Sequence, residues 1–431
     1  MLRLASVRQP ESRGRLPRAG FSLTELLVAS GIGLLVMASV ASLFSVFGRA
    51  LSQSQSTVDQ VARLRAAGWK LRQDLAGLTC RVTPWLAPEA EAGYFECVEG
   101  PRKDNTAAHG LSNLEADTDD ILMFTTRSPA GKFVGRYADA SRTIESPYAE
   151  VAWFCREAAT QPVTGTKLYN LYRRQLLVVG YVGMTEFQGN SILDPYPAQL
   201  PPLSPLPPPD LVNYNRSHVD YDISLRSEYN PAMNPAPRLV PNTLGDLTKR
   251  ENRFMHKRFL PVPNPSPAFP HEIRVDSTSR LLVEATFENT SRVWEDVVLT
   301  NVVSFDMRVF DAQARAQVSG TITRYPGDPG YGSGTGAYGA YVDLGAGQGG
   351  RLAGSMELKS GLTGPRFTYD TWSQHYEFTV AGRSGLNVST EYATAPPYPV
   401  PLRGVEVRIR CYDPVGKQVR QVTVRQSFGS R

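Results

Sequence analysis

The chain has 431 residues, 46 of them lysine or arginine and 41 aspartate or glutamate, for a formal net charge of +5 and a pI near 8.9. Five arginines against one glutamate place +4 of that charge in the first 20 residues and leave +1 on the remainder, so the basicity belongs to the N-terminus and gives little support for nucleic-acid binding. Four cysteines without a C-x-x-C spacing argue against zinc.

Residues 1–20 read as a basic leader: Arg3, Arg8, Arg13, Arg15 and Arg18 outweigh Glu11 and, by the positive-inside rule, hold the N-terminus on the cytoplasmic side of a membrane. Residues 21–48 follow as an apolar run. From Leu26 to Gly48 there are 23 residues without formal charge. At about 1.5 Å rise per residue they make a helix of roughly 35 Å, enough to cross the hydrocarbon core of a bilayer. Glu25 sits near the start of this run, and a charge inside a membrane-length apolar segment costs roughly a few kcal/mol, so it is seldom kept without a function. A secretory signal places its small residues after the apolar run, whereas here Gly20 precedes it.

The segment Arg18-Ala19-Gly20-Phe21-Ser22-Leu23-Thr24-Glu25 resembles the cleavage and methylation motif of type IV prepilins and type II secretion pseudopilins. The resemblance implies that a prepilin peptidase of the inner membrane cuts after Gly20 on the cytoplasmic side and that Phe21 becomes the N-methylated first residue. It also implies that Glu25, one helical turn from Phe21, pairs with the free N-terminal amine of a neighbouring pilin or pseudopilin during assembly, since each charge alone is costly in lipid. The plainer alternative for Glu25 is an interfacial carboxylate at the end of a membrane anchor.

Beyond the apolar run, residues 49–80 continue the helix. Val61, Leu64, Gly68, Leu71, Leu75 and Leu78 recur at spacings of 3 and 4, the stripe of a helix that packs on a globular domain. No proline occurs between Phe21 and Thr83, which predicts one unbroken helix from Phe21 to Leu78. Ala29, Ser30, Gly31 and Gly33 form a small-residue surface that permits close helix contact or is simply part of an anchor.

Residues 81–431 read as a β-rich domain. Strands are expected at 121–126, 150–155, 168–179, 297–311, 405–412 and 418–425, the clearest being the alternation of Val405, Val407, Ile409 and Cys411 with Glu406, Arg408, Arg410 and Tyr412. The aromatic-ended strand followed by Leu171-Tyr172-Arg173-Arg174 resembles a hairpin of larger minor pilins of the PilW and pseudopilin J type, and 297–311 looks like that group's strand near the sheet centre. The size of the chain, its insertions and Tyr369–Glu377 look like the large prepilin-like subgroup named Verru_Chthon cassette protein C. The expected fold is therefore α+β and pilin-like, a long N-terminal helix packed on an antiparallel sheet. Two insertions interrupt it, a proline-rich one near 194–270, where few sheet strands are expected, and a glycine- and tyrosine-rich one near 326–350.

In an exported domain Cys80, Cys97, Cys155 and Cys411 allow three disulfide connectivities. Sequence proximity favours Cys80 to Cys97, leaving Cys155 to Cys411, with four buried free thiols as the alternative. Asp117, Asp119 and Asp120 offer oxygens to calcium, but the motif lacks the EF-hand glycine and distal glutamate, and a solvated turn is the preferred reading. Lys249–Phe259 interleaves five positive charges with two phenylalanines, which makes Arg253, Lys257 and Arg258 candidates for nucleic-acid contact. An amphipathic segment covering the sheet is the preferred alternative.

Enzyme signals are weak. His109, His218, His256, His271 and His375 are scattered, and Gly334-Thr335-Gly336-Ala337-Tyr338-Gly339 lacks the preceding strand and following helix of a dinucleotide site. The expected role is a minor pilin or pseudopilin with no catalytic residues and no required cofactor, anchored by a single pass with its C-terminal domain in the periplasm and later part of a filament. A filament-tip binding module is the second expectation and a tethered periplasmic enzyme the third.

Overall fold

The computed structural model describes residues 20–84, 86–99, 116–137, 139–161, 166–179, 222–230, 234–254, 271–275, 281–285, 295–326, 331–332, 335–344, 368–371 and 400–429. Its contacts divide the chain into two compact units, Met1–Ser56 and Thr57–Arg431. One helix, α1 (Leu23–Ala76), belongs to both. Local chemistry sets its ends. Ser22 is the N-cap, its Oγ accepting from the Glu25 N–H at 3.2 Å while Glu25 Oε2 accepts from the Ser22 N–H at 2.9 Å, a reciprocal capping box. At the other end the Gly77 N–H closes the last turn on the Gln73 carbonyl at 3.1 Å. A Cβ on Gly77 would lie 2.2 Å from the Arg127 carbonyl oxygen, so only glycine permits this approach of the chain to the sheet.

Within the first unit α1 is long and apolar enough to cross a membrane. Its large side chains are exposed, with Leu26 at 65% and Phe44 at 73%. Within the second unit the helix becomes one-sided: Gln60, Leu64, Ala67, Gly68, Leu71, Asp74 and Leu75 are buried. Gly68 lets the helix backbone approach the sheet, since a Cβ there would meet Val422 Cγ2 at 3.0 Å.

The second unit is built on a nine-stranded antiparallel sheet. Its strands are β1 (Phe95–Val98), β2 (Ile121–Arg127), β3 (Tyr148–Glu157), β4 (Tyr169–Leu177), β5 (Val297–Arg315), β6 (Tyr338–Val342), β7 (Thr368–Asp370), β8 (Gly404–Asp413) and β9 (Gln418–Ser427). The spatial order is β7-β1-β2-β3-β4-β5-β8-β9, with β6 also paired to β5. The molecule is thus α+β, and β5 is an interior strand with β4 on one side and β8 on the other.

Both faces of the sheet are covered, which explains why Ile121-Leu122-Met123-Phe124 is a continuous apolar run instead of an alternating one. Leu122 and Phe124 face the core that contains Leu64, Leu71 and Leu75 of α1, while Ile121 and Met123 face a second cluster closed by Leu244, Leu247 and Phe254. The segment that supplies the second cover comes from the proline-rich region. There, Leu225–Asn230 and Asn234–Pro241 pair with each other and not with the nine-stranded sheet. In a two-stranded ribbon both strands are edges, where proline is tolerated. Residues 194–221 of that insertion lie outside the described residues. In the glycine-rich insertion, Tyr338–Val342 differs from the expected loop by joining the sheet along β5.

Candidate functional site

The N-terminal segment that carries the cleavage resemblance is placed from Gly20 onward; the leader before it lies outside the described residues. Gly20 has open space around its Cα, and Phe21 is 86% exposed. Phe21 immediately precedes the N-cap, so the peptide between Gly20 and Phe21 lies just outside the helix. The Glu25 carboxylate sits over this first turn, where the orphan N–H groups favour a negative charge.

Where α1 meets the sheet, three distant residues form one cluster. Asp74 receives the Arg173 guanidinium at both oxygens, Nε at 2.6 Å from Oδ2 and Nη2 at 2.9 Å from Oδ1, and the Trp153 indole N–H at 3.1 Å. Trp153 and Arg173 are direct cross-strand partners on β3 and β4. A two-strand pair therefore grips one carboxylate of the helix. Burial first, and then the Arg173 charge, lower the Lys70 ammonium below its usual range, with Asp74 opposing them.

Arg253 lies in a segment that covers the second face of the sheet, in line with the preferred alternative for Lys249–Phe259. It is fully buried, bonding Glu96 Oε2 at 3.0 Å, Asp370 Oδ1 at 2.8 Å and the carbonyls of Leu247 and Thr248, with its guanidinium 4.1 Å from the Tyr94 ring centroid. Glu96 and Asp370 are cross-strand partners on β1 and β7, so each holds the other's charge close and both need the arginine. Burial works against the Arg253 charge, but Asp370 and Glu96 outweigh it and raise its pKa. As a nucleic-acid contact Arg253 is corrected: a guanidinium enclosed by two carboxylates cannot reach a phosphate. Lys257 and Arg258 lie outside the described residues.

Glu150 makes a second clamp on the same segment. Its Oε1 accepts from Tyr94 Oη at 2.7 Å and from the Phe254 N–H at 2.9 Å, and its Oε2 from Ser224 Oγ at 2.6 Å. Burial and then the Glu150 charge push the Tyr94 phenol well up, so it stays a hydrogen-bond donor.

The disulfide expectation is also corrected. Cys80, Cys97, Cys155 and Cys411 are all buried free thiols. Between Cys155 on β3 and Cys411 on β8 stand β4 and β5. Three strand spacings amount to about 14 Å, twice the Cα separation a disulfide spans. Burial pushes the Cys80 thiol up to about 12 and raises Cys97, Cys155 and Cys411 in the same direction.

The acidic stretch before β2 is not a solvated turn. Asp117, Asp119 and Asp120 are buried, and Glu99, directly after β1, joins them. One oxygen each of Glu99, Asp117 and Asp120 lie within 4.8 Å of one another. Burial, followed by the charge of Asp120, pushes the Glu99 carboxyl well above its usual range, and the same two causes act on Asp117. Glu99 carries no sequence signal of its own; only the pairing of Val98 with Ile121 brings it beside Asp120.

Comparison with protein-family models, curated proteins and solved structures finds no match. The functional reading therefore depends on the chain's own residues.

Proposed function

We propose that the protein is a minor pilin or pseudopilin, a structural subunit of a type IV pilus or type II secretion-like filament. The observation that carries the reading is the sequence from Arg18 to Glu25 followed directly by a helix long and apolar enough to cross a membrane. The Ser22–Glu25 capping box supports it: cleavage after Gly20 leaves the new Phe21 amine one residue before the Ser22 N–H that the Glu25 carboxylate accepts. In this reading the leader is cytoplasmic, the apolar half of α1 resides in the inner membrane and then in a filament, and the sheet unit lies in the periplasm. The role is architectural, with the prepilin peptidase and other pilins as partners and no catalytic residue in the chain.

Two variants test the reading in cells. Gly20→Glu is expected to block processing and leave a precursor about 20 residues longer in the inner membrane; a mature-sized product sinks the cleavage assignment. Glu25→Ala is expected to be cleaved normally yet to lose copurification with pilin-like partners, which crosslinking from Leu26 would identify. Undiminished copurification of that variant removes the assembly role of Glu25.

A further inference from the structure

We propose that Glu99, Asp117 and Asp120 form a structural calcium site that ties the end of β1 to the loop entering β2. Both Glu99 oxygens lack a hydrogen-bond partner, although the residue is only 4% exposed. An unpartnered buried carboxylate costs several kcal/mol unless something neutralises it. One of its oxygens lies within 4.8 Å of an oxygen of Asp117 and of Asp120, so these neighbours add negative charge.

The donor set fits a hard cation. The three ligands are carboxylates, which suit calcium, magnesium or manganese over zinc or copper. Oxygens bound to one calcium at about 2.3–2.6 Å can be no more than about 4.6–5.2 Å apart, and the observed cluster falls within that span. Magnesium holds oxygens at about 2.0–2.1 Å and gives up its waters reluctantly, which a site with three buried ligands does not favour. Calcium accepts irregular coordination by carboxylates.

The surroundings hold the ligands in place. Ala116 donates its N–H to the Val303 carbonyl at 3.0 Å, and the Asp117 carbonyl accepts from the Phe305 N–H at 2.7 Å. Asp120 Oδ2 accepts from the Met307 N–H at 2.6 Å. The loop is thereby fixed along β5 and its carboxylates are preset. The buried guanidinium of Arg308 on β5 pairs with Asp306 and Asp343 at 3.3 and 3.1 Å. A bound calcium would link β1, the 116–120 loop and, through that loop, β5.

The test uses the full-length protein in detergent, stripped with a chelator and titrated with calcium chloride. Calorimetry is expected to give one calcium per chain with a dissociation constant at or below about 1 mM, and the unfolding temperature is expected to rise saturably with calcium. Glu99→Gln should weaken calcium binding by about tenfold or more, as expected when a site loses ligand charge. It should also leave the unfolding temperature in chelator unchanged or higher, because a repelling charge is gone. Asp120→Asn, which keeps an acceptor for the Met307 N–H, should weaken binding likewise. Absence of binding to the wild-type chain at millimolar calcium overturns the proposal, as does wild-type affinity in Glu99→Gln. Equal binding of magnesium overturns the assignment to calcium.

Discussion

A thiol buried in an apolar core resists ionisation because the thiolate loses its hydration, and all four cysteines of this chain are in that situation. At Cys80 the shift runs from an ordinary value of 9.0 to about 12. The unfolded chain thus releases this proton before the folded one. Its contribution to stability is fully present below about pH 9 and is lost as pH rises through about 12, with the other three thiols adding in the same direction. Two measurements check this. At about pH 8 a thiol reagent should label none of the four in the native protein and all four in denaturant, and the unfolding midpoint should fall as the buffer is taken from about pH 9 upward. Fast labelling of the native chain, or unlabelled cysteines in denaturant, contradicts it. Arg253 is buried as a cation because two carboxylates hold it, within the segment that covers the sheet, the reading preferred over a nucleic-acid contact. Its partners are far away in sequence, and that separation kept its role out of reach of motif reading.

Helix α1 was largely legible in sequence because its signals are local. The spacing of Leu64, Gly68, Leu71 and Leu75 marks a buried stripe, and those four residues are buried. The observed bounds move inward to Leu23 and Ala76 because Ser22 caps one end and Gly77 meets the Arg127 carbonyl at the other. The pair β8 with β9 was legible for the same reason, since a short turn joins them, and β3 with β4 was legible as two runs rich in aromatic and branched residues. Asp74 was not. A carboxylate on the apolar stripe reads as surface until the Trp153 and Arg173 pair is placed opposite it, and that pairing is a property of the sheet. Removing the carboxylate leaves a buried guanidinium and indole N–H without their acceptor. Asp74→Ala is therefore expected to cost about 3–5 kcal/mol in denaturant unfolding followed by tryptophan fluorescence. Asp74→Asn keeps one acceptor and should cost less. A loss under about 0.5 kcal/mol for Asp74→Ala would show that the clamp does not hold the helix on the sheet.

At the scale of the whole molecule the two units differ in what covers their apolar surface. Every buried residue of α1 lies between Gln60 and Leu75, within the second unit, which also contains the residues they pack against. The helix of the first unit instead exposes Leu26, Leu34, Phe44 and Phe47 among other large apolar side chains, more than a water-soluble surface tolerates. That half is long and apolar enough to cross a membrane. The second unit keeps its core, its sheet and the buried charge clamps without it. A fragment of residues 57–431 is accordingly expected to stay in the soluble fraction and unfold cooperatively, while the full-length chain sediments with membranes and requires detergent. The fragment retains the 57–76 portion of α1, whose isolated helical tendency is marginal at that length, so its helicity depends on packing against the sheet. Circular dichroism and a denaturant titration of the fragment read both properties at once. Aggregation of the fragment, alongside a folded full-length protein in detergent, would show that the sheet unit needs the apolar half of the helix for its own stability.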